Sequence, residues 1–164
     1  TLTATPSVNG TPDLTQVKSV IDTTTTTLQQ VASMVPDRQA DAGATETVQF
    51  RHIVTNNSNG TATFKLIASS SQGSAITFTS LTPGIVLVNG NTFSLPNTPG
   101  SNTFDFYVNV TVDRRLLPGQ KDLITVILTD VSNSVIGGAS VQDTINVTRG
   151  VLFPRLYLPR IVKP

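Results

Sequence analysis

A chain of 164 residues with one histidine, no cysteine and a formal net charge of +1 has room for one domain with a real core, and excludes disulfides, thiol catalysis and thiolate-bound metals. The near-neutral balance gives no electrostatic basis for nucleic-acid binding, which rests on neutralising several phosphates. Charged residues make up only 13% of the chain, whereas Thr, Ser and Asn supply roughly a third, a hydroxyl- and amide-rich surface of the kind exported proteins carry.

In chain order, residues 1–13 (TLTATPSVNGTPD) hold two prolines and a glycine and read as an extended arm. Residues 14–35 are the one helix candidate. Asp13 and Gln16 suit a capping box, and Leu14, Val17, Ile21, Leu28, Val31 and Val35 recur at helical spacings, forming a stripe expected to lie on the sandwich or on a neighbouring subunit. Against it stands Thr23–Thr27, five consecutive β-branched residues that lose side-chain freedom in a helix, so a strand or an irregular stalk is the alternative.

Pro36 to Gly43 breaks the pattern, and the period then changes to two. Strands are expected at Glu46–Thr55, Ala62–Ser69, Ala75–Thr79, Ile85–Val88, Thr92–Leu95, Thr103–Val112, Leu123–Asp130 and Ser140–Thr148. Phe104, Phe106, Val108, Val110 and Val112 alternate with polar residues, which sends one face of that strand into a core. Asn89-Gly90 predicts a hairpin turn pairing Ile85–Val88 with Thr92–Leu95, Asn59-Gly60 a turn after the first long strand, and Pro83-Gly84, Pro99-Gly100 and Pro118-Gly119 further corners. Together these features predict a mainly β fold: an antiparallel two-sheet sandwich, immunoglobulin-like or jelly-roll, over residues 44–149. An N-terminal arm with a helix or stalk (1–43) precedes it, and an extended tail (150–164) follows.

Glu46-Thr47-Val48-Gln49-Phe50 followed by Ile53-Val54-Thr55-Asn56-Asn57-Ser58-Asn59-Gly60 resembles the opening of bacterial immunoglobulin-like surface domains. Leu117-Pro118-Gly119-Gln120 with Asp122–Val126, and Asp143–Thr148, resemble later strands of the same family, so the resemblance covers about residues 44–149. It implies spacers, stalks, adhesin modules and coat or filament components, with no shared catalytic residues.

The chemical alternatives find little support. His52 alternates with Phe50 and Val54 and reads as structural, because a nucleophilic mechanism needs a base with an orienting partner. No catalytic residue is assigned. Most of the ten acids read as solvated turn or strand-edge groups. Asp37 and Asp41, in one loop near the Ala44 carbonyl, are the only calcium candidates, and no other cofactor is expected. Asn9, Asn56, Asn59, Asn109 and Asn146 carry the N-glycosylation pattern. Asp113-Arg114-Arg115 suggests a turn with a local ion pair. Most of the seven Phe read as core, which leaves few aromatics for a sugar-binding face.

The tail concentrates apolar side chains between prolines. Val151, Phe153, Leu156, Leu158, Ile161 and Val162 call for a covering surface, and Arg155, Tyr157 and Arg160 complete the expected contact set. Pro154, Pro159 and Pro164 lack the N–H that a central strand needs, which fits an edge strand or a groove, either as a cover over an edge of its own sandwich or as a contact docked on an adjacent copy. The expected partner is another copy of the chain or a second envelope protein, with no nucleic acid and no membrane-spanning segment. A cell-surface adhesion or carbohydrate-binding module and a virion decoration protein are the alternatives. The expected location is secreted or cell-surface.

Overall fold

The computed structural model describes residues 31–131 and 139–151, together with the backbone of four short strands near the N-terminus. Those four form two antiparallel ribbons: β1 (Leu2–Ala4) pairs with β4 (Lys18–Val20), and β2 (Ser7–Val8) with β3 (Thr11–Pro12). The body follows as β5 (Ala32–Val35), β6 (Gln39–Gly43), β7 (Thr47–Asn56), β8 (Ala62–Ser70), β9 (Ala75–Ser80), β10 (Thr92–Leu95), β11 (Thr103–Thr111), β12 (Lys121–Asp130) and β13 (Ser140–Arg149).

These nine strands make two sheets, one ordered β5-β7-β11-β9 and the other β10-β8-β12-β13-β6. Every pair is antiparallel except β6–β13, which is parallel. The arrangement is an immunoglobulin-type sandwich in which the strand flanking β8 follows β9 in the chain instead of preceding it.

Alternation explains the layers. Phe50, His52 and Val54 of β7 and Phe104, Phe106, Val108 and Val110 of β11 face Phe64 and Leu66 of β8, Ile124, Val126 and Leu128 of β12, and Val141, Ile145 and Val147 of β13. Aromatic rings bridge the sheets at the centre, with Phe93 4.1 Å from Phe104 and Phe104 stacked on Phe106 at 5.2 Å. Outside, the four-stranded sheet is laced by cross-strand polar pairs: Arg51 with Asp105, Gln49 with Asn109 at 2.9 Å, and Thr47 with Thr111 at 3.0 Å. The guanidinium of Arg51 holds the Asp105 carboxyl below its ordinary range, chiefly by hydrogen bonding.

The structure departs from the sequence expectation in three places. Lys18–Val20 and Ala32–Val35 are strands, so the helix over 14–35 is not formed there; residues 14–17 and 21–30 lie outside the described residues. The apolar spacing gives way because β5 pairs with β7, burying Met34 while Val35 stays exposed. As a result the sheets take in residues 32–43, which the sequence assigned to the arm. Ile85–Val88 is likewise no strand. Asn89 and Gly90 do turn the chain with positive φ, but only Val88 bridges Thr92, and β10 pairs with β8 instead. The turn Thr82-Pro83-Gly84-Ile85, with Gly84 at φ 81°, uses Ile85 N–H on Thr82 O while Ser80 Oγ donates to Ile85 O at 2.8 Å, so the backbone groups of Ile85 are spent outside such a ladder.

Candidate functional site

His52 is fully buried, and its Nε2 lies 2.9 Å from Asp143 Oδ2, also fully buried. With Asp143 as acceptor, the donor is the Nε2–H tautomer of the ring. The other carboxylate oxygen accepts the Arg38 backbone N–H at 2.9 Å, while Arg38 Nε donates to Arg51 O at 2.7 Å. His52 stands on one sheet, Asp143 on the other, and Arg38 on the connector that carries the chain between them. An enclosed pair has no access for a substrate; its geometry is that of a clamp between sheets. Nδ1 has no hydrogen-bond partner in the interior, where the His52 ring lies beside Phe106 with their centroids 5.7 Å apart.

Asp122 heads β12 on its inward face and is fully buried. It accepts hydrogen bonds from the hydroxyls of Ser70, Ser71 and Ser74 and from the Gln72 backbone N–H at 3.1 Å. Ser74 Oγ in turn receives the Asp113 N–H at 3.0 Å, which ties the 71–74 loop to the 113–120 loop. Three of the ten acids, Asp122, Asp130 and Asp143, are therefore buried rather than solvated, and Asp122 and Asp143 take up donors of the connecting segments.

The Asp113–Arg115 pair forms as expected, Arg115 Nη2 standing 2.8 Å from Asp113 Oδ2. Hydrogen bonds from the Arg115 side chain and backbone lower the Asp113 carboxyl from 3.8 to about 2. A depressed folded-state value stabilises the fold above the unfolded value near 3.8 and loses that contribution as pH falls through about 2. We expect Arg115→Ala to move the Asp113 titration midpoint upward in an NMR pH series; an unchanged midpoint contradicts the assignment.

Of the N-glycosylation positions, Asn56 is contradicted. It is 1% exposed, and its Nδ2 donates to Gly60 O at 3.0 Å and Leu95 O at 2.7 Å, so a glycan there would break the turn that the residue holds. Asn109 Nδ2 donates to Thr79 Oγ1 and Asn146 Nδ2 to Asp41 Oδ1, Asn59 is exposed, and Asn9 lies outside the described residues. Asp37 and Asp41 do not converge on a calcium ion. Residues 39–43 form a strand rather than a loop, Asp37 accepts the Gln142 N–H, and Asp41 takes Asn146. Among the described residues no group of three or more His, Asp or Glu is placed to hold a metal, and no helix is long and apolar enough to cross a membrane.

The two terminal segments meet the body at opposite ends. Val31, 48% exposed, accepts the Asn57 N–H at the end where β7 finishes. Val151 follows β13 at the other end, beside the 44–46 turn, and lies in a trough with Arg114, Arg115, Leu116 and Leu117. The trough continues past Arg114 and Arg115 to Gly73 and Ala75, where β9 begins. Among the expected contact residues, Val31 and Val151 are thus both at the surface. Leu14, Val17, Ile21 and Leu28 of the stripe, and Phe153, Arg155, Leu156, Tyr157, Leu158, Arg160, Ile161 and Val162 of the tail, lie outside the described residues.

No protein-family model and no curated protein matches the chain. Among solved structures it is similar to a family 123 glycoside hydrolase from Clostridium perfringens, with TM-score 0.54 and 12% identity over 79% of this chain. The chain spans only 28% of the length of that enzyme. Weaker likenesses are to AggA, the major subunit of aggregative adherence fimbriae type I from Escherichia coli (TM-score 0.43, 16% identity, 78% of this chain and 100% of that one), and to BcpA, the major pilin subunit of Bacillus cereus (0.41, 10%, 74% and 40%). At such identities the first similarity speaks to the two-sheet sandwich fold and to nothing finer.

Proposed function

We propose that the protein is a non-catalytic structural subunit of an extracellular filament, surface layer or envelope assembly, using its terminal segments for contacts between copies. The observation that carries this reading is the exit of the two segments from opposite ends of the sandwich, at Val31 and Val151. Ten-residue strands such as β7 set those ends roughly 33 Å apart. A contact surface at one end that meets a different surface at the other end of the next copy is heterologous, and such contacts propagate rather than close. The closed interior supports the same role: His52, Asp122 and Asp143 are consumed in holding sheets and loops together.

Light scattering on the chain with and without residues 151–164 tests the proposal. The expected result is a full-length protein of high mass and a folded truncated form near the mass of one chain, 17.4 kDa less the removed tail. A full-length protein that stays monomeric at every concentration, or a truncated form that assembles equally well, removes it.

A further inference from the structure

Strand β9, six residues, is the longest of the four edge strands of the sandwich. It pairs with β11 on one side only, and like the shorter edges β5 and β10 its sequence, AITFTS, carries no charge and no proline, the devices by which edge strands usually avoid new partners. Leu81 N–H bonds to Asp105 O, which continues the β9–β11 ladder and fixes its phase. Thr77 and Thr79 therefore direct their backbone groups to β11, whereas Ile76 and Phe78 direct theirs to the open side. The side chains tell the same story. Ile76 and Phe78 face the interior yet are only half-buried, while their β11 neighbours Val108 and Val110 are fully buried, so the core lacks a wall along this seam.

We infer that this edge receives the 152–164 segment of a second copy as an added antiparallel strand. The inference rests on the assembly reading above and names the surface that it uses. Three observations fix the occupant. The segment carries Arg-Leu-Tyr-Leu at 155–158 between Pro154 and Pro159, and on a strand Leu156 and Leu158 share one face, the pattern that completes burial of Ile76 and Phe78. Thirteen residues reach at most ~45 Å, ample for a six-residue edge. Finally, the tail leaves the body at the end where β9 begins, so a copy stacked end to end delivers its tail to the far end of the next copy's β9. The strand then runs antiparallel, in keeping with the rest of that sheet, whereas folding back on its own body would make it parallel.

The absence of native cysteine makes the test clean. Two full-length variants are prepared, Thr77→Cys bearing an affinity tag and Tyr157→Cys without one; both positions take the outward phase. Oxidation of the mixed proteins is expected to give the 77–157 disulfide, recovered on the tag and identified by peptide mass, as the main cross-linked product, and to lose it when Leu156 and Leu158 of the second variant are changed to Asp. Absence of the mixed disulfide, or a 77–157 link formed only within single chains of a variant carrying both Thr77→Cys and Tyr157→Cys, overturns the inference. If the mixed disulfide is absent while removal of 151–164 still disperses the oligomer, the β9 site falls and the assembly reading stands; if removal has no effect, the assembly reading falls first.

Discussion

Replacing Asp143 by alanine is expected to destabilise the protein by about 2–4 kcal/mol, read as a lowered urea midpoint at unchanged slope, because it leaves two donors without their acceptor, at about 1–3 kcal/mol for each one buried. The loss has two parts: the His52 ring is left in an apolar interior without its acceptor, and the Arg38 N–H on the sheet-to-sheet connector loses its own. Asp143→Asn keeps an oxygen for Arg38 and presents an amide to the ring, so it should lose much less. A double-mutant cycle with His52→Leu isolates the cross-sheet coupling. An alanine variant as stable as the parent means that the pair does not hold the sheets.

The second large effect is expected at Asp122. Its carboxylate gathers three serine hydroxyls and one backbone N–H from the 70–74 segment, and hydrogen bonds to charged groups are worth about 1.5–3 kcal/mol each net of water, part of which re-solvation of the freed donors recovers. Asp122→Ala should cost about 3 kcal/mol and lower Tm by roughly 6–12 °C. Faster amide exchange at Gln72 and at Leu123, whose N–H donates to Ser71 Oγ, should accompany it. A global loss without accelerated exchange in this loop would point to a packing effect instead.

Much of the fold is legible in the chain because alternation and turn chemistry act locally. The five apolar residues from Phe104 to Val112 announce β11 and its following turn, and the prolyl-glycyl corners at Gly84, Gly100 and Gly119 adopt the positive φ that those pairs imply. What escapes is decided by partners distant in sequence. Ala32–Val35 carries a helical apolar spacing, and its conversion to a strand depends on the Asn56 end of β7. The buried acids were nonetheless encoded. Asp122 keeps phase with Ile124, Val126 and Leu128, and Asp143 with Val141, Ile145 and Val147, so parity along the strand places them inside although their charge argues for water. His52 carries the same signal between Phe50 and Val54. The open seam at β9 is beyond sequence reasoning, because nothing in AITFTS says which strand will lie beside it.

The one parallel ladder among the described strands has a mechanical consequence. β6 is approached from the Val31 end and β13 leads out toward Val151, so tension drawn between the two termini pulls these neighbours in opposite directions along their common axis. Their backbone bonds then bear the load together, in shear, instead of parting one after another as a peeled hairpin does. Resistance to rupture under such loading is set by the rate of crossing a barrier rather than by equilibrium stability.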